Sequence, residues 1–136
     1  MQGDAALALV AELHTRQRVM YAGGALEPVL ELLAPEIVWH VPGRSPIAGE
    51  HRGHEGVAAY FERRRRLAQM TMTIQPGAAV AADGVVAQLV LGVATVRGER
   101  LSWQTAGVYR VEGGKVAEVW LVPADLAAFE RIWAAR

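Results

Sequence analysis

The chain has 136 residues, the size of one ordinary domain, and its lack of cysteine excludes disulfides and cysteine-ligated zinc. Its net charge is +0 and its pI is about 6.9, so no overall field attracts nucleic acid or an anionic membrane. Residues 1–4 lack the basic stretch of a secretory leader, and no apolar run approaches the roughly 20 residues that span a bilayer. We therefore expect an untargeted, cytoplasmic protein.

The first part of the chain is predicted to be helical. A helix over about 4–20 has Asp4 as a suitable N-cap and is followed by a pair of glycines. A short second helix over about 26–33 ends before Pro35, because the residue before a proline disfavours the helical conformation. The β-branched and aromatic residues of 36–41 then predict a strand.

The remainder of the chain changes from helix to strand. Two prolines and three glycines predict a loop over 42–53, and a third helix follows over about 54–69. Helices first and hairpin-linked strands afterwards indicate an α+β fold with the helices on one side of an antiparallel sheet. The further predicted elements are four strands and a last helix, at about 70–80, 85–96, 100–111, 115–122 and 126–134.

The pairing of the last hairpin can be predicted from its turn. A two-residue turn at Gly113-Gly114 pairs Tyr109 with Glu118 and Gly107 with Trp120. Both faces of this hairpin are largely apolar. Alternation along the strands assigns to one face Trp103, Thr105, Gly107, Tyr109, Glu118 and Trp120. It assigns to the other face Gln104, Ala106, Val108, Ala117, Val119 and Leu121.

The strand over 85–96 also indicates a sheet that is covered on both sides. It barely alternates between polar and apolar residues, whereas an antiparallel sheet with one wet face should alternate. The helices can cover one face. A second copy of the protein packed against the other face is the simplest way to cover it. We therefore predict a homodimer formed through the outer face of the sheet.

Two stretches of the sequence resemble a known family. The first is Trp39–Gly49 (WHVPGRSPIAG), continued by Arg52-Gly53 and a helix with Tyr60-Phe61, and the second covers 108–120 (VYRVEGGKVAEVW). They are similar to the SnoaL-like family of the nuclear transport factor 2-like superfamily, which includes ketosteroid isomerases, polyketide cyclases and limonene epoxide hydrolase. The resemblance covers nearly the whole chain. It implies a single cone-shaped domain over 1–136, a strongly curved antiparallel sheet wrapped around about three helices, as in cystatin-like folds.

The same resemblance implies a pocket in the cone, a homodimer formed through the sheet, and two classes of function. One is a small cofactor-independent enzyme, an isomerase, cyclase or hydrolase, that acts by proton transfer on a small apolar substrate. The other is a non-catalytic binding module for a small hydrophobic ligand. The fold alone does not decide between them. In either case we expect a small apolar molecule as the partner, with no metal, cofactor, nucleic acid or membrane.

Three residues are candidate catalytic groups. Asp125 lies just past the last strand, where the resemblance to SnoaL-type cyclases implies an acid, and it is equally suited to N-cap the last helix. His40 can act as a base at neutral pH if it faces the cone, and pairs with backbone or solvent if it faces outward. Glu118, beside Tyr109 and Trp120, would have a raised pKa unless an arginine pairs with it.

Aromatic residues and one arginine are the candidate ligand-binding residues. The aromatics cluster on elements that line the family's cone, and they could equally be simple core residues. Within the run 63–66, Arg64 follows Val57 by seven and Tyr60 by four, which places it on the apolar stripe of its helix. It is expected to reach the pocket rim or to pair with an acid. The candidate set is Trp39, Tyr60, Phe61, Arg64, Trp103, Tyr109 and Trp120.

Overall fold

The computed structural model describes residues 3–134, which form four helices and six strands. The predicted domain limits, residues 1 and 136, lie outside the described residues. No helix among these residues is long and apolar enough to cross a membrane. The helices are α1 (Gly3–Tyr21), α2 (Glu27–Leu30), α3 (Gly53–Leu67) and α4 (Leu126–Trp133). The strands are β1 (Leu33–Val41), β2 (Gly49–Arg52), β3 (Thr73–Ala82), β4 (Val85–Val96), β5 (Glu99–Glu112) and β6 (Lys115–Pro123).

The strands form one sheet in the order β2-β1-β6-β5-β4-β3. Neighbouring strands are antiparallel except for β1 and β6, which are parallel. The chain passes from β1 and β2 through α3 to the far edge at β3, and returns to β1 by successive hairpins. Helix α1 packs against β3, α3 against β1, and α4 against β5 and β6. The predicted α+β fold, a sheet curled around helices, is confirmed.

Two boundaries near β1 differ from the prediction. The end of the predicted loop, Gly49–Arg52, forms the short strand β2, which pairs with β1. The second helix is a single turn, and β1 begins at Leu33 rather than at residue 36. The backbone N–H of Val116 donates a hydrogen bond to the carbonyl oxygen of Leu32 at 2.9 Å. Pairing in the sheet therefore overrides the local tendency of this segment to continue as a helix.

The register of the β5–β6 hairpin also differs from the prediction. The turn at Gly113-Gly114 lies where it was predicted, but Tyr109 lies opposite Val119, not opposite Glu118. The register shifts by one residue at Ala117, which has no partner of its own and forms a β-bulge.

This bulge exchanges the two faces of β6. A shift of one residue turns every later side chain to the opposite side of the sheet. Glu118 and Trp120, predicted to share a face with Tyr109, lie on the face of the sheet directed away from the helices, which we call the outer face. Val119 and Leu121 lie on the inner face instead, and Leu121 takes the place opposite Gly107 that was predicted for Trp120.

The core fills the space between the inner face of the sheet and the helices. Edge-to-face contacts join Trp39 to Phe61, with ring centroids 5.2 Å apart, and Trp103 to Trp133, with centroids 5.1 Å apart. Aromatic side chains thus make up much of the cone interior. The largest fully buried aromatic side chains are Trp39, Trp133, Tyr21, Tyr60, Phe61 and Phe129.

Candidate functional site

A small cavity lies inside the cone, between the inner face of the sheet and helices α1 and α3. It offers about 40 Å³ to water-sized molecules, which is room for a few waters. Both apolar and polar side chains line its wall, so the cavity is more polar than the apolar lining that the sequence predicted. Its polar wall is formed by His14, Gln17, Tyr21, Arg64, Thr105 and Tyr109.

Arg64 is a buried charge in the wall of this cavity. Its side chain lies on the buried stripe of α3 with Val57 and Tyr60, as the spacing predicts, and it is only 5% exposed. Its Nη1 donates a hydrogen bond to Tyr60 Oη at 2.8 Å. No carboxylate among residues 3–134 lies within 4.0 Å of its guanidinium group. Arg64 therefore lies deeper than the predicted pocket rim.

Aromatic rings surround the Arg64 guanidinium. The ring centroid of Trp133 is 4.7 Å from Cζ, and four other centroids are 5.7 to 6.0 Å away. Rings attract a cation through their faces but do not accept hydrogen bonds as an oxygen does. Nε of Arg64 is buried and has no partner among residues 3–134. The other four rings are Tyr21, Tyr60, Trp103 and Phe129.

A buried imidazole and a buried phenol form the second polar feature of the cavity. Nε2 of His14, on α1, lies 2.9 Å from Oη of Tyr109, on β5. Gly107 leaves room for this contact, because a β-carbon there would overlap the Tyr109 hydroxyl. Burial, and secondly the charge of Arg18, lower the pKa of His14 to about 4. The imidazole is therefore neutral at pH 7 and able to accept a proton.

Several other polar atoms around the cavity are buried without a partner among residues 3–134. They are Tyr21 Oη, Trp39 Nε1, Thr105 Oγ1 and His14 Nδ1. Burial raises the pKa of Tyr21 and of Tyr109 far above the ordinary value, so both phenols stay protonated at neutral pH. A buried polar group without a partner costs about 1–3 kcal/mol. Their concentration around one cavity indicates a place where a polar ligand group would be stabilised.

Most of the predicted ligand-binding residues lie in the interior of the cone. Trp39, Arg64, Trp103 and Tyr109 line the cavity. Tyr60 and Phe61 are fully buried beside them, with centroids 5.9 Å and 5.2 Å from the Trp39 ring. Trp120 is the exception, because the bulge in β6 turns it outward.

His40, Glu118 and Trp120 lie together on the outer face of the sheet. His40 Nε2 is 2.6 Å from a carboxylate oxygen of Glu118, its Nδ1 is 3.4 Å from Glu50, and its ring stacks on Trp120. Arg110 contacts the other Glu118 oxygen at 3.3 Å. The hydrogen bond from His40 is the main cause that lowers the pKa of Glu118. Of the two positions considered for His40, the structure shows the outward one, and Glu118 is paired with Arg110 rather than free. Neither side chain lines the cone cavity.

Asp125 is exposed at the N terminus of α4. Its Oδ1 accepts a hydrogen bond from the backbone N–H of Ala128 at 3.0 Å, which is the N-cap contact anticipated as one alternative. The same helix is held to the loop after β1, where the Glu130 carboxylate accepts hydrogen bonds from the backbone N–H groups of Arg44 and Ser45. Asp125 does not line the cone cavity.

The N-cap contact gives a direct prediction for Asp125. Asp125→Ala should lower the free energy of unfolding by about 1 kcal/mol, whereas Asp125→Asn should lower it by a few tenths at most, because Asn caps helices about as well as Asp. Urea unfolding of both variants measures the difference. Equal losses for Ala and Asn would show that the carboxylate charge, not the cap, is what stabilises this end of α4.

Four polar residues of the cavity wall were not predicted from the sequence: His14, Gln17, Tyr21 and Thr105. Three of them lie on α1, where they continue the buried stripe of that helix. Thr105 belongs to the predicted inner set of β5, although no role was assigned to it. Within residues 3–134, no three His, Asp or Glu side chains are arranged to hold a metal ion.

Two of the larger depressions in the surface lie along the outer face. The first, of about 570 Å³, is lined largely by apolar side chains that include Leu89, Ala106 and Val122. We call it the outer groove. The second, of about 400 Å³, lies beside His40 and Trp120. Both are open surface features.

Comparison with known proteins places the chain in a family. It belongs to the SnoaL-like domain family, which matches residues 15–119, and the predicted resemblance is confirmed. An uncharacterized protein of Mycobacterium tuberculosis is 31% identical over 135 residues, 98% of this chain and 100% of that protein.

Two solved structures are similar to this one. Bal32a, from a soil-derived mobile gene cassette, is 28% identical with a TM-score of 0.81, over 93% of this chain and 97% of that one. TerC, co-crystallized with polyporic acid, has a TM-score of 0.82 at 16% identity, over 94% of this chain and 97% of that one.

Proposed function

We propose that this protein is a small cofactor-independent enzyme that transfers a proton on a small molecule bound in the cone. One observation carries the proposal: a neutral buried imidazole, His14, and a buried guanidinium without an acid partner among residues 3–134, Arg64, line the same cavity. Removal of a proton from the carbon next to a carbonyl group requires a base, and a fixed positive charge that stabilises the resulting negative oxygen. His14 and Arg64 would supply these two groups beside one bound molecule.

The proposed chemistry uses these two groups in sequence. His14 accepts a proton from a carbon next to a carbonyl group, and the electron pair of that C–H bond moves to the carbonyl oxygen to form an enolate. Arg64 stabilises the negative oxygen. The negative charge also raises the proton affinity of His14, which suits a base whose pKa is about 4 without ligand. Where the substrate has a C=C bond conjugated with this enolate, the imidazolium returns the proton to the far carbon of the dienolate, and the double bond moves, which completes an isomerisation.

The proposed base, His14, is not among the residues that the sequence suggested for this role. The Asp125 carboxylate accepts a hydrogen bond within α4, and the His40–Glu118 pair lies on the opposite side of the sheet from the cavity. His14 has the buried position and the neutral state that the role of base demands.

The cavity has to enlarge to admit a substrate. Its volume of about 40 Å³ is well below the roughly 300 Å³ of the smallest usual ligand pockets. Rotamer changes of side chains are common when a ligand binds. Trp103 and Met72, which both line the cavity, are the large side chains whose movement would open it.

A non-catalytic binding module is the second candidate. What favours it is that, within residues 3–134, no aspartate or glutamate lines the cavity, which leaves a histidine of low pKa as the base there. The co-crystallization of TerC with polyporic acid supports a small-molecule ligand for a protein of this fold under either candidate.

Proton exchange in D₂O separates the two candidates. Small ketones and enones are incubated with the protein in D₂O, binding is followed by tryptophan fluorescence, and deuterium incorporation by mass spectrometry. The enzyme should incorporate deuterium into at least one bound compound faster than buffer does. Saturable binding without incorporation, for every compound that binds, would support the binding module instead.

We also propose that the outer face forms a homodimer interface. This face carries exposed apolar side chains, among them Val80, Leu89 and Val122, which are 71%, 59% and 51% exposed. Light scattering at micromolar concentration should give twice the 14.7 kDa mass of one chain. Leu89→Glu should give the monomer mass, and Val19→Glu, an exposed residue on α1, should not. A wild-type monomer would contradict the proposal.

A further inference from the structure

The charge of Arg64 has no counter-charge among residues 3–134. A buried ion is costly unless an opposite charge or several hydrogen bonds compensate it. The only acid on the C-terminal part of α3, Glu62, is already paired with Arg65 at 2.7 Å and with Arg66 at 3.1 Å. Arg64 alone among these arginines points into the cone.

The groups around Arg64 stabilise it only in part. Tyr60 accepts one hydrogen bond from Nη1, and aromatic ring centroids lie 4.7 to 6.0 Å from Cζ. Tyr21 cannot supply a negative charge at neutral pH, because burial keeps its hydroxyl protonated. Nε remains without an acceptor among residues 3–134. The unmet requirement is therefore an oxygen that bears negative charge.

We propose that the ligand of this cone carries a carboxylate, which pairs with the guanidinium of Arg64 through Nε. Arginine presents its N–H groups in a planar fork that matches a carboxylate, so a carboxylate is the oxygen anion that fits this edge best. The cavity has room for about three or four heavy atoms, the size of that group. Trp39 Nε1 and Tyr21 Oη, both buried without partners among residues 3–134, are further donors around the same cavity.

The carboxylate site rests on the proposed function in one respect: both place the ligand in the cone cavity. The guanidinium has several N–H groups, so a carboxylate at Nε leaves others for the carbonyl oxygen of the substrate. The substrate class is then a small carboxylic acid with a carbonyl group, rather than the purely apolar molecule that the sequence suggested.

Sodium formate is the probe, because it is the smallest carboxylate. Melting temperature is measured while formate replaces chloride at constant ionic strength, for the wild type, Arg64→Met and Arg63→Met. Arg63 is an exposed arginine on the same helix and gives the matched control. A specific ligand stabilises the folded state by mass action, so wild type and Arg63→Met should gain roughly 4 °C at ten times the dissociation constant.

Arg64→Met should show no such gain, even if its own melting temperature is higher because the buried charge is gone. An equal gain in Arg64→Met, or no gain in the wild type, would overturn the carboxylate site. If Arg64→Met does not fold, the Nε–H resonance of Arg64 in the ¹⁵N-labelled wild type is followed instead. It should shift with formate in a saturable way, and an unchanged resonance would overturn the proposal. Neither readout depends on turnover, so failure here leaves the proton-transfer proposal standing.

Discussion

His14→Gln should lower the rate of enzyme-catalysed proton exchange by a factor of roughly 10²–10⁴, the usual contribution of a general base. Glutamine can still hydrogen-bond with the Tyr109 hydroxyl 2.9 Å from the present imidazole nitrogen, so the cavity wall should keep its shape. It cannot accept a proton in the pH range where the imidazole can. The loss should therefore appear in turnover, measured by deuterium incorporation, far more than in ligand binding, measured by tryptophan fluorescence.

His40→Gln is the matched control for this variant. It makes the same chemical change in a histidine that pairs with Glu118 on the outer face, away from the cavity. Exchange by this variant should stay within a factor of about two of the wild type. The opposite pattern, loss in His40→Gln and full activity in His14→Gln, would place the base on the outer face and contradict the present assignment.

Stability should depend on pH through His14. Its pKa is about 4 in the folded protein and near 6.5 in an unfolded chain, so between these values the unfolded state binds more protons. The free energy of unfolding must then fall as the pH falls through this window. Between pH 7 and pH 5 the loss from this one group is about 2 kcal/mol.

Urea unfolding of wild type and His14→Gln at pH 7 and pH 5 isolates this contribution. Burial also lowers the pKa of His51, which adds a loss of the same sign in both proteins. The lowered pKa of Glu118 acts at more acidic pH, below the ordinary value of a glutamate. The difference between the two proteins should therefore be His14 alone. An identical pH dependence in the variant would show that His14 is not a buried neutral base.

The fold and the position of Arg64 could be predicted from the sequence because both depend on simple periodicities. The order of helices and hairpins indicates the α+β fold, and a residue that follows Val57 by seven and Tyr60 by four must share their side of a helix. How deeply Arg64 lies, 5% exposed, could not be predicted. That depends on the rings of α4 and β5, which close over it from distant parts of the chain.

Which side chains of β6 lie on which face of the sheet could not be predicted, because the bulge at a single residue determines it. The bulge at Ala117 reverses every later side chain, and the turn Gly113-Gly114 gives no sign of it. The predicted roles of Glu118 and Trp120 depended on that register. Alternation along a strand predicts correctly which face a side chain lies on only where the pairing has no bulge, as between β4 and β5.

His14 could have been found by the spacing that found Arg64. On α1 it follows Val10 by four, and Gln17 follows it by three, so both polar residues lie on the buried stripe of the helix. Apolar Leu13 and Met20 are buried on α1 as well. A polar residue on a buried stripe is the informative observation, because it needs a partner inside the fold.

The functional site proposed for this protein is the small cavity in the cone, not the larger depressions outside it. A crystal structure of the protein with a carboxylate-bearing compound that undergoes exchange tests this directly. We expect the compound inside the cone, its carboxylate at Nε of Arg64 and its exchanging carbon beside His14, with Trp103 displaced. A compound bound instead in the outer groove over Leu89, or beside His40 and Trp120, with the cone unchanged, would contradict it.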